Sequence, residues 1–238
     1  MQSNLRRSNL FALAFRLAVL VALVLAVVAI ALLYRVLEDR HFKVALDLSH
    51  SVANGLDARI AGIDYVLQVS ADEIEHLIAS RQANSESVTD FLGKQQARHP
   101  GIDLLRATNS AGEAIYGRGV DPARHASLAQ RDYFHRLRDT PGLGMVIAEP
   151  VVGRISQKWI WLMARRFNLP DGSFGGIVYA SIFVDDLVAD FERMKLEPGS
   201  AISLLDSEMR LVARTTFDGK FDAPIGDRHL VNGLQQAL

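Results

Sequence analysis

Seventeen consecutive apolar residues, Leu17 to Leu33, constrain this chain more than any other feature. About 20 residues rising 1.5 Å each carry a helix across the ~30 Å hydrocarbon core of a bilayer. Extending the run back to Phe11, across Arg16, gives that length. A helix apolar on every face for so long has no role in water. Its flanks set an orientation: Arg6, Arg7 and Arg16 stand at its start, and no acid precedes Glu38. Because basic flanks stay cytoplasmic, residues 1–10 read as a cytoplasmic tail, 11–34 as a transmembrane helix of the inner membrane, and the rest as exported. Arg16 can snorkel to the headgroups, and Tyr34 sits where an interfacial aromatic belongs. The rival is a cleavable signal peptide, since Ala29-Ile30-Ala31 resembles a cleavage site. The apolar run is longer than the ~7–15 residues of a secretory core, which favours a retained anchor. Either way the remainder is exported.

All 27 acidic residues lie beyond residue 34, whereas three of the 26 basic ones lie before it. The exported part is therefore mildly acidic and gives no reason to expect nucleic-acid binding. The chain has no cysteine, so no disulfide staples it and no thiolate chemistry occurs in it.

From Glu38 to about Ser80 there is no proline, and Leu48, Val52, Leu56, Ile60, Ile63, Leu67, Ile74 and Leu77 recur at helical spacing. This predicts one long helix leaving the membrane, with Gly55 or Gly62 the place for any interruption. The stripe lacks strict a/d heptads, which favours packing on the domain's own sheet over a dimer seam. Asn84-Ser85-Glu86-Ser87 opens a further helix, and His99-Pro100-Gly101 ends the helical pattern. Strands are expected at Ile102–Thr108, Glu113–Tyr116, Met145–Val152, Lys158–Phe167 and Phe174–Ile182. Asp121–Arg138 reads as polar and helical in part. Pro170-Asp171-Gly172 is a turn, because proline presets φ and glycine accepts positive φ. Val184–Met194 reads as a short helix, and a hairpin pairs Ala201–Leu205 with Arg210–Ala213 around Asp206-Ser207. A long helix against antiparallel strands is an α+β layer architecture.

The chain holds no phosphate-binding loop, nucleophile elbow, zinc-protease motif or calcium loop. Its seven histidines are scattered without ligand spacing, so neither a metal nor a cofactor is expected. Asp185-Asp186 suits a helix N-terminal turn. The strand Lys158–Phe167 is more informative, because side chains alternate across a strand. One face carries Trp159, Trp161, Met163 and Arg165. The other carries Lys158, Ile160, Leu162, Ala164 and Arg166. The aliphatic face suits the long helix. The tryptophan face suits a small-molecule pocket, with Arg165 fixing a carboxylate, or an ordinary mini-core. Tyr179, on the neighbouring strand with Ile177 and Ser181, is a candidate contact.

Gln130-Arg131-Asp132-Tyr133-Phe134, then Ala148 to Arg154, Trp159 to Arg166, and Asp171-Gly172-Ser173-Phe174-Gly175-Gly176 together resemble the double Cache (PDC) sensor domain. Such domains stand outside the membrane in bacterial chemoreceptors, histidine kinases and diguanylate cyclases. The resemblance covers roughly residues 35–215 and is greatest to the versions joined to diguanylate cyclases. It implies a transmembrane helix continuing into a long helix packed on PAS-like antiparallel sheets. Residues 35–100 would form the long helix and helical connection, 101–195 the membrane-distal ligand-binding lobe, and 196–238 the start of an incomplete membrane-proximal lobe. It further implies that Arg131, Tyr133 and Phe134 match the Arg-x-aromatic-aromatic motif that holds a ligand carboxylate. The family's amino-acid binders place an acid just after the Gly-Gly pair, to hold the ammonium. Here that position is Ile177. A desolvated ammonium needs a partner, so a carboxylate or another anion without an amine is expected.

The expected function is that of a periplasmic small-molecule sensor, the input module of a transmembrane receptor, dimeric through the long helix and not itself an enzyme. A second membrane span, an output domain and further strands of the second lobe are absent after Leu238, so the sequence is expected to be a fragment or a truncated gene. The alternatives are an anchored interaction or scaffold domain without a small ligand, and an exported enzyme, for which no constellation of residues is present.

Overall fold

The computed structural model describes residues 2–121, 126–217 and 224–228; within this, the side chains of residues 2–19, 22, 36–39 and 41 are outside the description. The chain divides into two compact units, Met1–Ala58 and Arg59–Leu238. The first unit is helical, being the N-terminal part of α1 (Gln2–Ala79). Its large apolar side chains from Leu20 to Tyr34 are exposed wherever they are described. Among the described residues no helix is long and apolar enough to cross a membrane. The expected span, residues 11–34, lies in part outside the described side chains.

In the second unit the rest of α1 buries Ile63, Val66, Leu67, Ala71 and Ile74, a three-and-four spacing that turns one stripe inward. The helix is the one long element expected, and neither Gly55 nor Gly62 interrupts it. A helical glycine costs only about 1 kcal/mol relative to alanine, which tertiary packing readily offsets. The helix stops where Arg81 takes a left-handed φ of 59° and the amides of Gln82 and Ala83 bond the Leu77 carbonyl. Asn84 then caps α2 (Ser85–Arg98), its Oδ1 accepting from the Ser87 amide at 2.8 Å while the Ser87 hydroxyl accepts from the Asn84 amide at 3.1 Å.

An antiparallel sheet follows. It is built from β1 (Leu104–Thr108), β2 (Ala114–Gly117), β3 (Val146–Ile147), β4 (Val151–Val152), β5 (Trp159–Asn168) and β6 (Phe174–Phe183). The order is β2-β1-β6-β5-β3, with β4 also paired to β5. Short α3 (Asp132–Asp139) lies between β2 and β3. The single strand expected at Met145–Val152 is instead two short ones. Pro150 has no N–H for a ladder and restricts Glu149 before it, so pairing lapses between them.

At the β5–β6 turn Gly172 has φ 83°, and the Asp171 carboxylate accepts from the Ser173 amide at 2.9 Å and its hydroxyl at 2.6 Å. Gly176 has φ 149°, and a Cβ there would lie 2.3 Å from the Thr108 carbonyl oxygen; only glycine lets β1 and β6 approach so closely. After β6 comes α4 (Val184–Glu192), which packs on β8 of a separate hairpin, β7 (Ala201–Leu205) and β8 (Leu211–Thr216).

The cross-strand register decides what each sheet face carries. Leu104, Ser181 and Leu162 lie in one row, and Arg106, Tyr179 and Ala164 in the next. Leu105, Ala180 and Met163 belong to the opposite face. That opposite face meets α1: Arg165 Nε and Nη2 donate to the Asp64 carboxylate at 2.6 and 3.0 Å. The expected use of the two β5 faces is thus reversed. Trp161, Met163 and Arg165 take the helix side, and Ile160, Leu162 and Ala164 join the core around α3.

Candidate functional site

The face with Ser181 and Tyr179 forms the floor of a cavity. Leu104 and Arg106 enter it from β1, Ile160 and Leu162 from β5, and Tyr179 and Ser181 from β6. Leu128, Arg131 and Tyr133, before and at the start of α3, make one wall. Val151, Gly153, Arg154, Ile155 and Ser156, in β4 and the loop after it, make the other. The cavity is small: the volume open to a water's centre is about 20 Å³, room for roughly one water.

Three arginines and two phenols line this space, and among the described residues no carboxylate does. Arg131 Nη2 donates to the Val152 carbonyl at 3.3 Å, while its Nε is buried without a hydrogen-bond partner. Arg106 is only 6 % exposed; its Nε donates to the Arg118 carbonyl at 2.9 Å, and its guanidinium lies against the Tyr179 phenol. The Ser181 hydroxyl is wholly buried and unpartnered. Burial pushes the Tyr179 phenol up to about 12, a rise that Arg106 partly opposes. Burial, with Tyr179 nearby, likewise raises Tyr133, against a smaller pull from Arg131 and Arg154. Both phenols therefore stay neutral at physiological pH and remain able to donate.

Arg131, Tyr133 and Tyr179, of the residues expected to bind a ligand, come together here. Phe134 does not line the cavity; it is buried in the adjoining core, edge-on to Phe174 with ring centroids 5.4 Å apart. Trp159 is 38 % exposed at the end of β5 opposite Val152. Trp161 and Arg165 are turned to the helix side, away from the cavity, because alternation puts them on the face that meets α1. Arg106 and Ser181 also line the cavity; the sequence reading does not name the first, and names the second only as sharing the face of Tyr179. A lone arginine within the apolar run Ile102–Thr108 was the available signal for the first.

No family model matches the chain, and no curated protein matches it. Solved structures do. The extracellular domain of rpHK1S-Z16, a protein assigned as a histidine kinase, shares 25% identity at a TM-score of 0.65, covering 80% of this chain and 77% of that one. The ligand-binding domain of the Pseudomonas aeruginosa amino-acid chemoreceptor PctC, in complex with GABA, matches at 15% identity and a TM-score of 0.53, over 68% and 70% of the two chains. That of the Campylobacter jejuni chemoreceptor Tlp3, in complex with L-valine, matches at 13% and 0.52, over 77% and 74%. The fold is that of the extracellular sensor domains of histidine kinases and chemoreceptors. It is the Cache, PAS-like architecture that the sequence resemblance implies.

Proposed function

We propose that the chain is the small-molecule-sensing input module of a transmembrane receptor. The observation that carries this reading is the cavity on the PAS-like sheet, where Arg131, Tyr133 and Tyr179 converge. Three of the structural neighbours are ligand-binding domains of chemoreceptors, each in complex with an amino acid or GABA. In this chain Ile177 stands where the resemblance places the acid for an ammonium, and it is fully buried. The ligand is accordingly an anion without an amine, a carboxylate first. A purely structural scaffold would have no use for arginines and phenols turned into a closed apolar fold.

The apolar run 11–34 and its basic flank support an inner-membrane anchor with the domain in the periplasm, and the exposed apolar side chains from Leu20 to Tyr34 agree with it. Residues 101–195 act as the ligand-binding lobe, and 196–238 begin the next. Dimerisation through the long helix and attachment to a diguanylate cyclase rest on the sequence resemblance. The module is not an enzyme; its neighbours are sensory domains.

A thermal-shift screen of the full chain in mild detergent, against carboxylates, amino acids and amines, tests the reading. A ligand bound only by the folded state raises stability by RT ln(1 + [L]/Kd). A shift that disappears in Arg131→Ala supports the sensor. No shift from any compound, on a cooperatively folding protein, leaves the scaffold.

A further inference from the structure

Two guanidinium groups reach the same cavity without an acid to balance them. Among the described residues neither Arg106 nor Arg131 has a carboxylate within salt-bridge distance. Arg106 is 6 % exposed, and its nearest acceptors are a carbonyl and a phenol, neither of them charged. A buried charge without a counter-charge is costly, and a polar group left unpaired in the interior costs further. The cavity shows both: the Arg131 Nε and the Ser181 hydroxyl are buried, unpartnered and in its lining. The register places them on different walls. Arg106 and Ser181 rise from the sheet floor, on β1 and β6, whereas Arg131 stands before α3.

One carboxylate can neutralise one of these arginines. Two negative charges on one small molecule neutralise both, and the lining offers no acid to receive a positive group. We propose that this cavity, open to about one water in this structure, widens to take a compact dianion, a short dicarboxylate or a tetrahedral oxyanion, held by Arg106 and Arg131 together with the Ser181 hydroxyl. The inference rests on the sensor reading above and adds a ligand class and two binding residues to it. Arg154, on the loop that walls the cavity, adds a third cation at its exposed rim and favours the same charge.

The test is isothermal titration of the full chain in mild detergent, at constant ionic strength. The probes are succinate, malonate, inorganic phosphate and sulfate, beside propionate, butyrate and L-alanine. Succinate or phosphate should bind at least tenfold more tightly than butyrate or propionate. A dicarboxylate preference and a phosphate preference each support the dianion and identify its source. Arg106→Gln and Ser181→Ala should each weaken dianion binding about tenfold or more, with far-UV circular dichroism confirming the fold. The comparison of dianions with monoanions on the unaltered protein stands even if Arg106→Gln does not fold. Propionate or L-alanine binding as tightly as succinate and phosphate, through Arg131 and untouched by Arg106→Gln, would overturn the dianion and leave the sensor. Binding of no probe by the folded chain overturns both.

Discussion

Arg165 and Asp64, 101 residues apart, meet through two parallel hydrogen bonds of 2.6 and 3.0 Å that fasten α1 to the sheet. The paired geometry is the strong form of an arginine–carboxylate contact, and the hydrogen bonds to Asp64 raise the guanidinium's pKa further. Both side chains keep partial contact with water, which screens the pair. A double-mutant cycle of Arg165→Met and Asp64→Asn, read by urea unfolding, should give a coupling of about 1 kcal/mol. Ligand affinity should stay unchanged in Arg165→Met, since the residue lies on the sheet face away from the cavity.

Phe134 tests the line between core and site. Truncating so large a buried ring removes its packing and leaves a cavity, so Phe134→Ala should cost about 3–5 kcal/mol. Phe134→Leu, which keeps most of the volume, should leave ligand affinity within a few-fold of the unaltered protein. A large affinity loss in a well-folded Phe134→Leu would place the ring in the binding machinery after all.

Gly176 is the tightest point of the sheet. Alanine there would combine a strained φ with a Cβ driven into the Thr108 carbonyl. Gly176→Ala should therefore destabilise by about 2 kcal/mol or more, seen as a lower thermal midpoint. Gly55→Ala, in a helix with open space around it, should be neutral or stabilising by about 1 kcal/mol.

Acid sensitivity should have a contribution from Asp206. Burial pushes its carboxyl up, but hydrogen bonds from the Arg210 amide and guanidinium and from the Glu208 amide outweigh that and hold it below its ordinary 3.8. A depressed carboxylate stabilises the fold at pH values above its unfolded pKa, and that stability is lost as pH falls through the folded value. Melting curves from pH 6 down to pH 3 should show Asp206→Asn less stable than the unaltered protein at pH 6, with the difference shrinking below about pH 4.

Much of this architecture was legible in residue patterns. Asn84 announced its helix because an amide side chain before Ser-Glu-Ser has a capping role, and Pro170-Asp171-Gly172 announced its turn through φ preferences. The two faces of β5 could be separated by alternation but not assigned. Both are covered, one by α1 and one by the core around α3, and a strand buried on both sides gives no polar face to read. Arg131 and Tyr133 were accessible because they are adjacent in a local motif. Arg106 was not, since its place beside Tyr179 follows from a β1–β6 register joining residues more than seventy positions apart. Pro150 is visible in the sequence, but the apolar residues on both sides of it read as one continuous strand.

The Arg210 guanidinium bonds Glu149 at 2.5 Å and Asp206 at 2.6 Å. Glu149 lies two residues before Val151 of the cavity wall, and Arg210 immediately precedes β8 of the hairpin. Any free energy by which an occupant shifts that wall is, by reciprocity, the free energy by which the correspondingly shifted hairpin favours the occupant. On the proposed sensor reading, position 210 is thus a tuning point for affinity that lies outside the cavity lining. On that reading, changes in the hairpin reset the concentration at which the sensor responds without altering what it responds to.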